Sequence, residues 1–165
     1  MLFDIRVDLI RDFVSDEFSR ALESWSSIGI EGKKPLFCSP CGDVFLRAAD
    51  GIWWLDTLEG TLTRRWAHSE ELKAALRTTE GQDRFLLAGL AAGERQGIAP
   101  GTRQVYGLQI APVLGGQLNV DNLEVIDFVV GINILGQIHE QVRNLPPGTR
   151  ISGFSVQPAD GQDHE

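Results

Sequence analysis

The sequence predicts an α+β fold in which an antiparallel β-sheet packs against three or four helices. A meander of three short strands over residues 43–66 forms the main part of this sheet, because an Asp-Gly turn at 50–51 and a Glu-Gly turn at 59–60 separate strand-like runs. Apolar residues also recur every three or four positions before and after the meander, which is the spacing of helices that bury one face. Together these two signals predict a meander, extended by later strands, with helices packed on it.

The composition is that of a globular domain. Of 165 residues, 42% are hydrophobic and 23% are charged, so the chain can bury a core without a disulfide or a metal ion. We expect one domain over residues 1–157 and a disordered polar tail over residues 158–165.

The net charge of −8, from 15 basic and 23 acidic residues, excludes one class of function. A protein that binds nucleic acid through its phosphates needs a basic face, so no direct nucleic-acid binding is expected. No apolar run approaches the roughly 18 residues of a membrane span, and no signal peptide is visible. We therefore expect a cytoplasmic protein with reduced thiols and no membrane contact.

The charge is unevenly distributed along the chain. Residues 1–60 and 121–165 each carry a net charge of −5, whereas residues 61–120 carry +2. If the two ends fold together, they form a negative surface that steers a positively charged partner. Solubility alone is the simpler explanation of the same acidic side chains.

A helix is expected directly before the meander. Phe18, Leu22 and Trp25 recur at i, i+4 and i+7, which predicts one apolar stripe. An N-cap at Ser15 begins this helix and Gly29 ends it. The opening segment has helical spacing at Phe3, Val7, Ile10, Phe13 and Val14.

Two further helices are expected after the meander. Ser69 caps a helix that runs to about Arg77. Thr79 and Gln82 have capping-box spacing, which predicts a second helix capped by Thr79 that runs to about Gln96 and ends at Gly97.

The last third of the chain mixes strand and helix signals. Residues 104–110 alternate as a strand does, whereas residues 124–130 suit either a strand or the start of a buried helix. Residues 151–156 are expected to form a last short strand. One apolar face of the intervening helix is lined by Ile134, Leu135, Ile138 and Val142.

Cys38 and Cys41 are two residues apart, a spacing that suits a shared metal ion or a redox disulfide. A structural zinc site needs four ligands, and the chain has no second cysteine pair. A thioredoxin-type motif opens a helix, whereas Gly42 leads into a strand. Two ordinary reduced cysteines at a strand edge are therefore expected. A small thiol redox enzyme or sensor is the alternative function.

The remaining motifs predict no catalysis. His139-Glu140 resembles half of a metalloprotease motif, but residue 143 is arginine instead of the second zinc-binding histidine. A solvent-facing His139 is the simpler interpretation. No nucleophile elbow and no phosphate-binding loop is present. We therefore predict no catalytic residues, no metal site and no cofactor.

Trp53 and Trp54 are neighbours on one strand, so their side chains must point to opposite faces of the sheet. Coverage by the flanking helices is the expected arrangement. An exposed tryptophan would instead mark an interaction hot spot.

Several spaced blocks of the chain resemble a known bacterial domain. Residues 38–47 and 50–64 resemble the first half of the Tdi-type domain of type VI secretion immunity proteins, which is often found behind a GAD-like N-terminal domain. The likeness extends over about residues 18–145, and only about 17 residues precede it where a full-length relative carries a larger domain. The later blocks agree in the same order: 104–108, 112–116, 121–127 and 137–141.

The resemblance implies a non-catalytic immunity protein, which binds a cognate secreted effector toxin and neutralises it in the producer's cytoplasm. Such toxins are often DNases, and a nuclease is the expected partner. An acidic inhibitor can compete for the basic face with which a nuclease holds its substrate. We expect Asp50, Asp56 and Glu59 to contact the toxin, because they flank the meander turns, where rigid strands display a surface.

Overall fold

The computed structural model describes residues 9–94 and 99–158. It confirms the predicted α+β class, with a four-stranded antiparallel sheet, a two-stranded antiparallel sheet and five α-helices in the described residues. The strands are β1 (Lys34–Cys38), β2 (Val44–Ala48), β3 (Gly51–Asp56), β4 (Thr61–Trp66), β5 (Gln104–Leu108) and β6 (Leu123–Asp127). The helices are α1 (Ser15–Leu22), α2 (Ser69–Leu76), α3 (Thr79–Leu86), α4 (Ala88–Glu94) and α5 (Phe128–Val142).

The larger sheet has the order β1-β2-β3-β4, and the smaller one pairs β5 with β6. The predicted meander is present as β2, β3 and β4. It gains an edge strand, β1, that the sequence analysis did not predict because Pro35 interrupts the strand signal. Proline lacks an N–H donor and is tolerated at a sheet edge, which is where β1 lies.

Helices cover both faces of the larger sheet. On one face, Val44, Leu46 and Leu55 pack with side chains of α1, of the following 3₁₀ turn (Glu23–Ile28) and of α5. On the other face, side chains from the same strands pack with α2 and α3. The alternation of side chains along each strand produces these two cores.

The two adjacent tryptophans follow this alternation. Trp54 packs edge-on against Phe85 of α3, with ring centroids 4.9 Å apart. Trp53 lies on the opposite face, where its indole N–H donates to Asp50 at 2.8 Å and Lys33 lies 4.4 Å from the ring centroid. The prediction that they point to opposite faces is confirmed.

The stripe of Phe18, Leu22 and Trp25 is buried as predicted. Gly29 ends the 3₁₀ turn with a left-handed φ of 95°. The N-cap of α1 is Val14 rather than Ser15, and the backbone N–H of Val14 donates to the side chain of Glu17 at 3.2 Å.

The helical spacing of the opening segment does not produce a helix over residues 10–14. Arg11 instead forms an antiparallel bridge with Cys38 at the edge of β1, with N–H···O distances of 2.8 Å in both directions. Backbone pairing to a sheet edge overrides the weak local helical signal here. Phe3 and Val7 lie outside the described residues.

The two helices after the meander begin one residue earlier than predicted, with N-caps at His68 and Thr78. The second is also interrupted, because Leu87 adopts a left-handed conformation with φ of 51°. Asp83 accepts a hydrogen bond from the backbone N–H of Gly89 at 3.0 Å, which caps a separate helix, α4. The predicted end at Gly97 lies outside the described residues.

One expectation for the C-terminal part is wrong. Residues 151–156 form no strand; their backbone instead bonds to glutamine side chains of α5, as in the 3.3 Å bond from Ser155 N–H to Gln141. The residues buried along α5 are Phe128, Val129, Ile132, Asn133, Gly136 and His139. The predicted tail lies outside the described residues from 159 onward.

The packing of α5 against the 3₁₀ turn (Glu23–Ile28) allows a stability test at Gly136. An added Cβ would collide with the Ser24 hydroxyl and lie 2.7 Å from the Trp25 indole nitrogen. Overpacking costs about 1–3 kcal/mol, whereas alanine gains about 1 kcal/mol over glycine within a helix. We therefore expect Gly136→Ala to lower the free energy of unfolding, measured by urea denaturation.

The matched control is Gly153→Ala, because an added Cβ there meets no atom within 4 Å. We expect that variant to stay within about 0.5 kcal/mol of the parent protein. A Gly136→Ala variant as stable as the control would contradict the close packing of α5 on the 3₁₀ turn.

Candidate interaction site

The candidate site is built around α5, which follows β6 without a connecting loop. Asp127 ends the strand and caps the helix, because its carboxylate accepts a hydrogen bond from the Val130 backbone N–H at 2.9 Å. Residues 124–130 therefore contain both structures that the sequence left open, a strand followed by a buried helix start.

The inner face of α5 is held by hydrogen bonds from outside the helix. The Trp25 indole N–H donates to the carbonyl of Ile132 at 3.0 Å, and the Ser24 hydroxyl donates to the carbonyl of Asn133 at 2.7 Å. The Asn133 side-chain amide donates in turn to the carbonyl of Arg20 at 2.7 Å. Such bonds are directional, so they set the rotation of α5 about its own axis.

His139 is also on the inner face and is 4% exposed, so the expectation of a solvent-facing histidine is wrong. Its Nε2 lies 2.8 Å from the Thr57 carbonyl. A carbonyl oxygen only accepts, so Nε2 carries the proton. Burial lowers the pKa of His139, which favours the neutral imidazole. The ring also packs closely on Gly60, where any Cβ would lie 2.5 Å from Nδ1.

The outer face of α5 borders a groove of about 430 Å³. Val130, Ile134 and Ile138 line it at intervals of four residues, so they form one apolar stripe along the helix. Strands β5 and β6 and the loop between them form the opposite wall. Three of the four residues predicted to share an apolar face, Ile134, Leu135 and Ile138, line this groove, and Leu135 also packs against the main core.

Ile126 forms part of the groove wall between two glycines. A Cβ at Gly107 would lie 2.7 Å from Ile126 Cδ1, and a Cβ at Gly131 would collide with the same atom. These two positions therefore leave room for the isoleucine side chain between the sheet and the helix. Any larger residue at either position would displace Ile126 from this place in the wall.

The loop between β5 and β6 is held by the side chain of Asn122. Its amide oxygen accepts from the Ile110 N–H at 3.0 Å, and its nitrogen donates to the carbonyls of Ile110 at 2.8 Å and of Gln117 at 2.9 Å. The loop nevertheless leaves large apolar side chains in solvent, Ile110 being 55% exposed. The others are Val113, Leu118 and Val120. A fixed loop with exposed apolar side chains is typical of a binding surface.

The charged side chains that line the groove are both acidic, Glu124 and Asp127. The turn between β3 and β4 contributes Leu58 to the lining, and the exposed Glu59 follows it in the chain. The groove thus combines an apolar interior with an acidic edge, the arrangement of a core and a rim in protein interfaces.

The structure separates the three predicted toxin contacts. Asp56 and Glu59 lie in the same turn, next to the groove residue Leu58. Asp50 precedes the other end of β3, roughly 20 Å from Asp56 for six steps of about 3.3 Å along a strand. The three carboxylates therefore do not form one patch.

Asp56 and Asp50 also have structural partners. Asp56 accepts hydrogen bonds from the backbone N–H groups of Leu58 at 3.1 Å and Glu59 at 3.0 Å, and burial raises its pKa. Asp50 accepts from the Trp53 indole, and this bond lowers the pKa of the Asp50 carboxyl. Glu59 is exposed and has the clearest access to a partner.

A buried carboxyl group, Asp43, supports the same turn. One of its oxygens accepts from the Thr57 backbone N–H and from the Thr57 hydroxyl, both at 2.8 Å. Burial raises the pKa of Asp43 well above its usual range, the neighbouring Asp56 carboxylate raises it further, and the bonds from Thr57 partly oppose this. No local sequence signal distinguishes Asp43, because its burial depends on tertiary packing.

Cys38 and Cys41 are both reduced and buried. Burial raises the pKa of each thiol above its ordinary value. A reactive cysteine needs the opposite environment, exposed and with a lowered pKa. The geometry therefore fits two ordinary core cysteines and disfavours a thiol enzyme or redox sensor.

Residues 9–94 and 99–158 contain neither of two other classes of site. No group of three or more histidine, cysteine, aspartate or glutamate side chains there is placed to hold a metal ion. No helix in the same part of the chain is long and apolar enough to cross a membrane.

The raised pKa of Asp43 predicts a pH-dependent stability. The folded protein keeps the Asp43 proton at pH values where the unfolded chain, with a carboxyl pKa of about 4, has lost it. The free energy of unfolding therefore falls as pH rises above about 4, by up to about 1.4 kcal/mol per pH unit. Asparagine retains the acceptor oxygen without a charge. We therefore expect the free energy of unfolding of Asp43→Asn, measured by urea denaturation, to rise relative to that of the parent protein as the pH increases from 5 to 7.

Asp121→Asn is the control, because it makes the same chemical change at an exposed position. Its stability should stay parallel to that of the parent protein over this pH range. If the Asp43→Asn curve were also parallel, a charged Asp43 carboxylate would be stable in its buried position.

Comparison with known proteins finds one matching family model and a similar solved structure. Residues 94–139 match the family model of the type VI secretion system (T6SS) immunity protein Tdi1, C-terminal. No curated protein sequence matches the chain significantly. The crystal structure of Atu4351 from Agrobacterium tumefaciens is similar with a TM-score of 0.53 and 18% sequence identity, over 79% of this chain and 68% of that chain. At this identity, the structural likeness shows the fold alone.

The matched segment includes β5, β6 and the part of α5 up to His139. It supports the same family that the spaced blocks of the sequence resembled. Within residues 94–139, the chain is thus similar to the C-terminal domain of the T6SS immunity protein Tdi1.

Proposed function

We propose that this protein is a non-catalytic immunity protein that binds and neutralises its cognate type VI secretion effector toxin, a DNase, in the cytoplasm of the producing cell. The observation that carries the proposal is the match of residues 94–139 to the Tdi1 family model. An antitoxin acts by binding, so it needs an interaction surface rather than a catalytic group.

The charge of the chain supports a nuclease as the partner. A nuclease holds its polyanionic substrate with lysine and arginine, so the face around its active site tends to be positive. A protein with a net charge of −8 is attracted to such a face before the two surfaces touch. Fast capture suits an antitoxin, because the toxin must be bound before it cuts DNA.

The geometry of the cysteines weighs against the alternative. A thiol enzyme would have to expose a thiolate, whereas Cys38 and Cys41 are buried and burial raises the pKa of both thiols. The exposed apolar loop and the acidic groove favour a protein partner instead.

The direct test is recovery of the complex. We expect the tagged chain, purified from its native cells, to retain one basic nuclease-like protein at near-equal stoichiometry, identified by mass spectrometry. The purified pair should elute as one species in size-exclusion chromatography, and the chain should abolish DNA cleavage by the toxin. Expression of the toxin should stop growth of a host cell unless this chain is present.

The control is a host that carries the toxin and an empty vector. A chain that neither binds the effector encoded beside its own gene nor protects the host would overturn the immunity function. If the chain binds the toxin and protects the host but the toxin does not cleave DNA, the antitoxin role is retained and a DNase is excluded as the partner.

A second prediction concerns the acidic residues of the meander turns, which we propose as contacts that speed association. We expect Asp50→Lys and Glu59→Lys to lower the association rate constant several-fold at low salt, with a smaller effect at high salt, measured by stopped-flow fluorescence. Asp56→Asn should have a smaller effect, because it removes one charge but keeps an oxygen for the turn.

Glu80→Lys is the matched control, since it makes the same charge reversal on α3. This helix packs on the face of the larger sheet opposite to α5. An association rate unchanged in Asp50→Lys and Glu59→Lys relative to this control would remove both residues from the interface.

A further inference from the structure

We propose that the groove between α5 and the β5–β6 hairpin is the docking site for the effector, and that it takes a segment with large apolar side chains flanked by lysine or arginine. This inference rests on the proposed antitoxin function. It goes further by identifying the surface of the chain that binds the effector and the chemistry of the effector segment that is bound.

The first support is the composition of α5, which is apolar on two sides. Its inner face packs in the main core through Phe128, Val129 and Ile132. Its outer stripe, Val130, Ile134 and Ile138, lines the groove. Each of two apolar faces on one helix normally has a cover, because large apolar patches are rarely left in solvent. In the described part of the chain, the groove beside this stripe is an open volume of about 430 Å³.

The second support is that the ends of the described chain do not supply a suitable cover. Leu9 packs with the core on the far side of the sheet, among Phe45, Trp66 and Leu76, whereas α5 packs on the near side. At the other described end, the Gln157 backbone N–H donates to the Gln137 side chain at 2.7 Å, and neither residue lines the groove. A segment of another protein is therefore the better occupant.

The third support is charge complementarity. The groove is lined by the carboxylates of Glu124 and Asp127 and by no lysine or arginine, and the exposed Glu59 lies beside Leu58 at its edge. An apolar segment with basic flanks places its anchors in the groove and its cations against this edge. Apolar anchors supply most of the affinity, whereas the charges supply rate and orientation.

The fourth support is that the surface is formed before binding. The bonds from Asn122 fix the loop that carries Ile110 and Leu118, so little conformational entropy remains to be lost on association. The segment that matches the Tdi1 family model, residues 94–139, also contains every residue of the groove lining except Cys41 and Leu58.

The test uses the purified effector toxin domain recovered with this chain, carrying a substitution that abolishes its nuclease activity. We expect Ile134→Lys and Ile138→Lys to weaken its binding roughly thirtyfold or more, measured by isothermal titration calorimetry, because each places a cation in the apolar part of the groove. Neither residue belongs to a described core cluster, so both variants should fold.

Val14→Lys is the matched control, since Val14 is 64% exposed and lies outside the groove lining. Its affinity should stay within about twofold of the parent protein. A second variant, Glu124→Gln, keeps the shape of the groove and removes one carboxylate. It should lower the association rate constant about two- to threefold at low salt even if a lysine variant fails to fold.

The outcomes separate the two proposals. If the parent protein does not bind the toxin domain, the antitoxin function fails and the docking site fails with it. If the parent protein binds and both the lysine variants and Glu124→Gln bind equally well, the function stands and the groove is excluded. If the parent chain alone is a dimer that Ile134→Lys dissociates, the groove is a contact between two copies of this chain and the proposal is overturned.

Discussion

The rest of the structure depends on the anchoring of α5 through its inner face. The Trp25 indole and the Ser24 hydroxyl donate to carbonyls in the middle of this helix. Gly136 lets α5 and the 3₁₀ turn that carries Ser24 and Trp25 approach closely. A hydrophobic contact alone would tolerate rotation of the helix, because burial of apolar area has no preferred direction. Hydrogen bonds are directional, and they are costly to break in a buried position. They therefore decide which apolar face of α5 enters the core and which borders the groove.

A second set of buried polar groups links α5 to the meander. Thr57 donates to Asp43 through its backbone N–H and its hydroxyl, and its carbonyl accepts from His139. Burial acts against the charged form of both titratable groups, raising the pKa of Asp43 and lowering that of His139. This arrangement costs stability when either group is charged. The same hydrogen bonds hold the turn that carries Leu58 and Glu59 against the end of the groove. The protein therefore loses some folding stability but keeps this part of the groove in a fixed position.

The groove combines two properties that serve different parts of a binding reaction. Its acidic edge acts over a distance and increases the rate of encounter with a basic partner. Its apolar interior acts only in contact and slows dissociation, because water must return to the surfaces that separate. The proposed antitoxin function needs both, since an antitoxin must capture the toxin quickly and keep it inactive. The net charge of −8 alone would give the first property without the second.

The sequence by itself determined the meander, the α+β class, the opposite orientations of Trp53 and Trp54, and the family resemblance. These follow from local chemistry, because Asp-Gly and Glu-Gly turns and the alternation of side chains act over a few residues. Tertiary structure decided the bridge from Arg11 to Cys38, the burial of His139, and the placement of Asp56 and Glu59 together but apart from Asp50. It also decided that the stripe containing Ile134 and Ile138 borders a groove. Periodicity identifies an apolar face but not its neighbour, which depends on contacts between residues far apart in the chain.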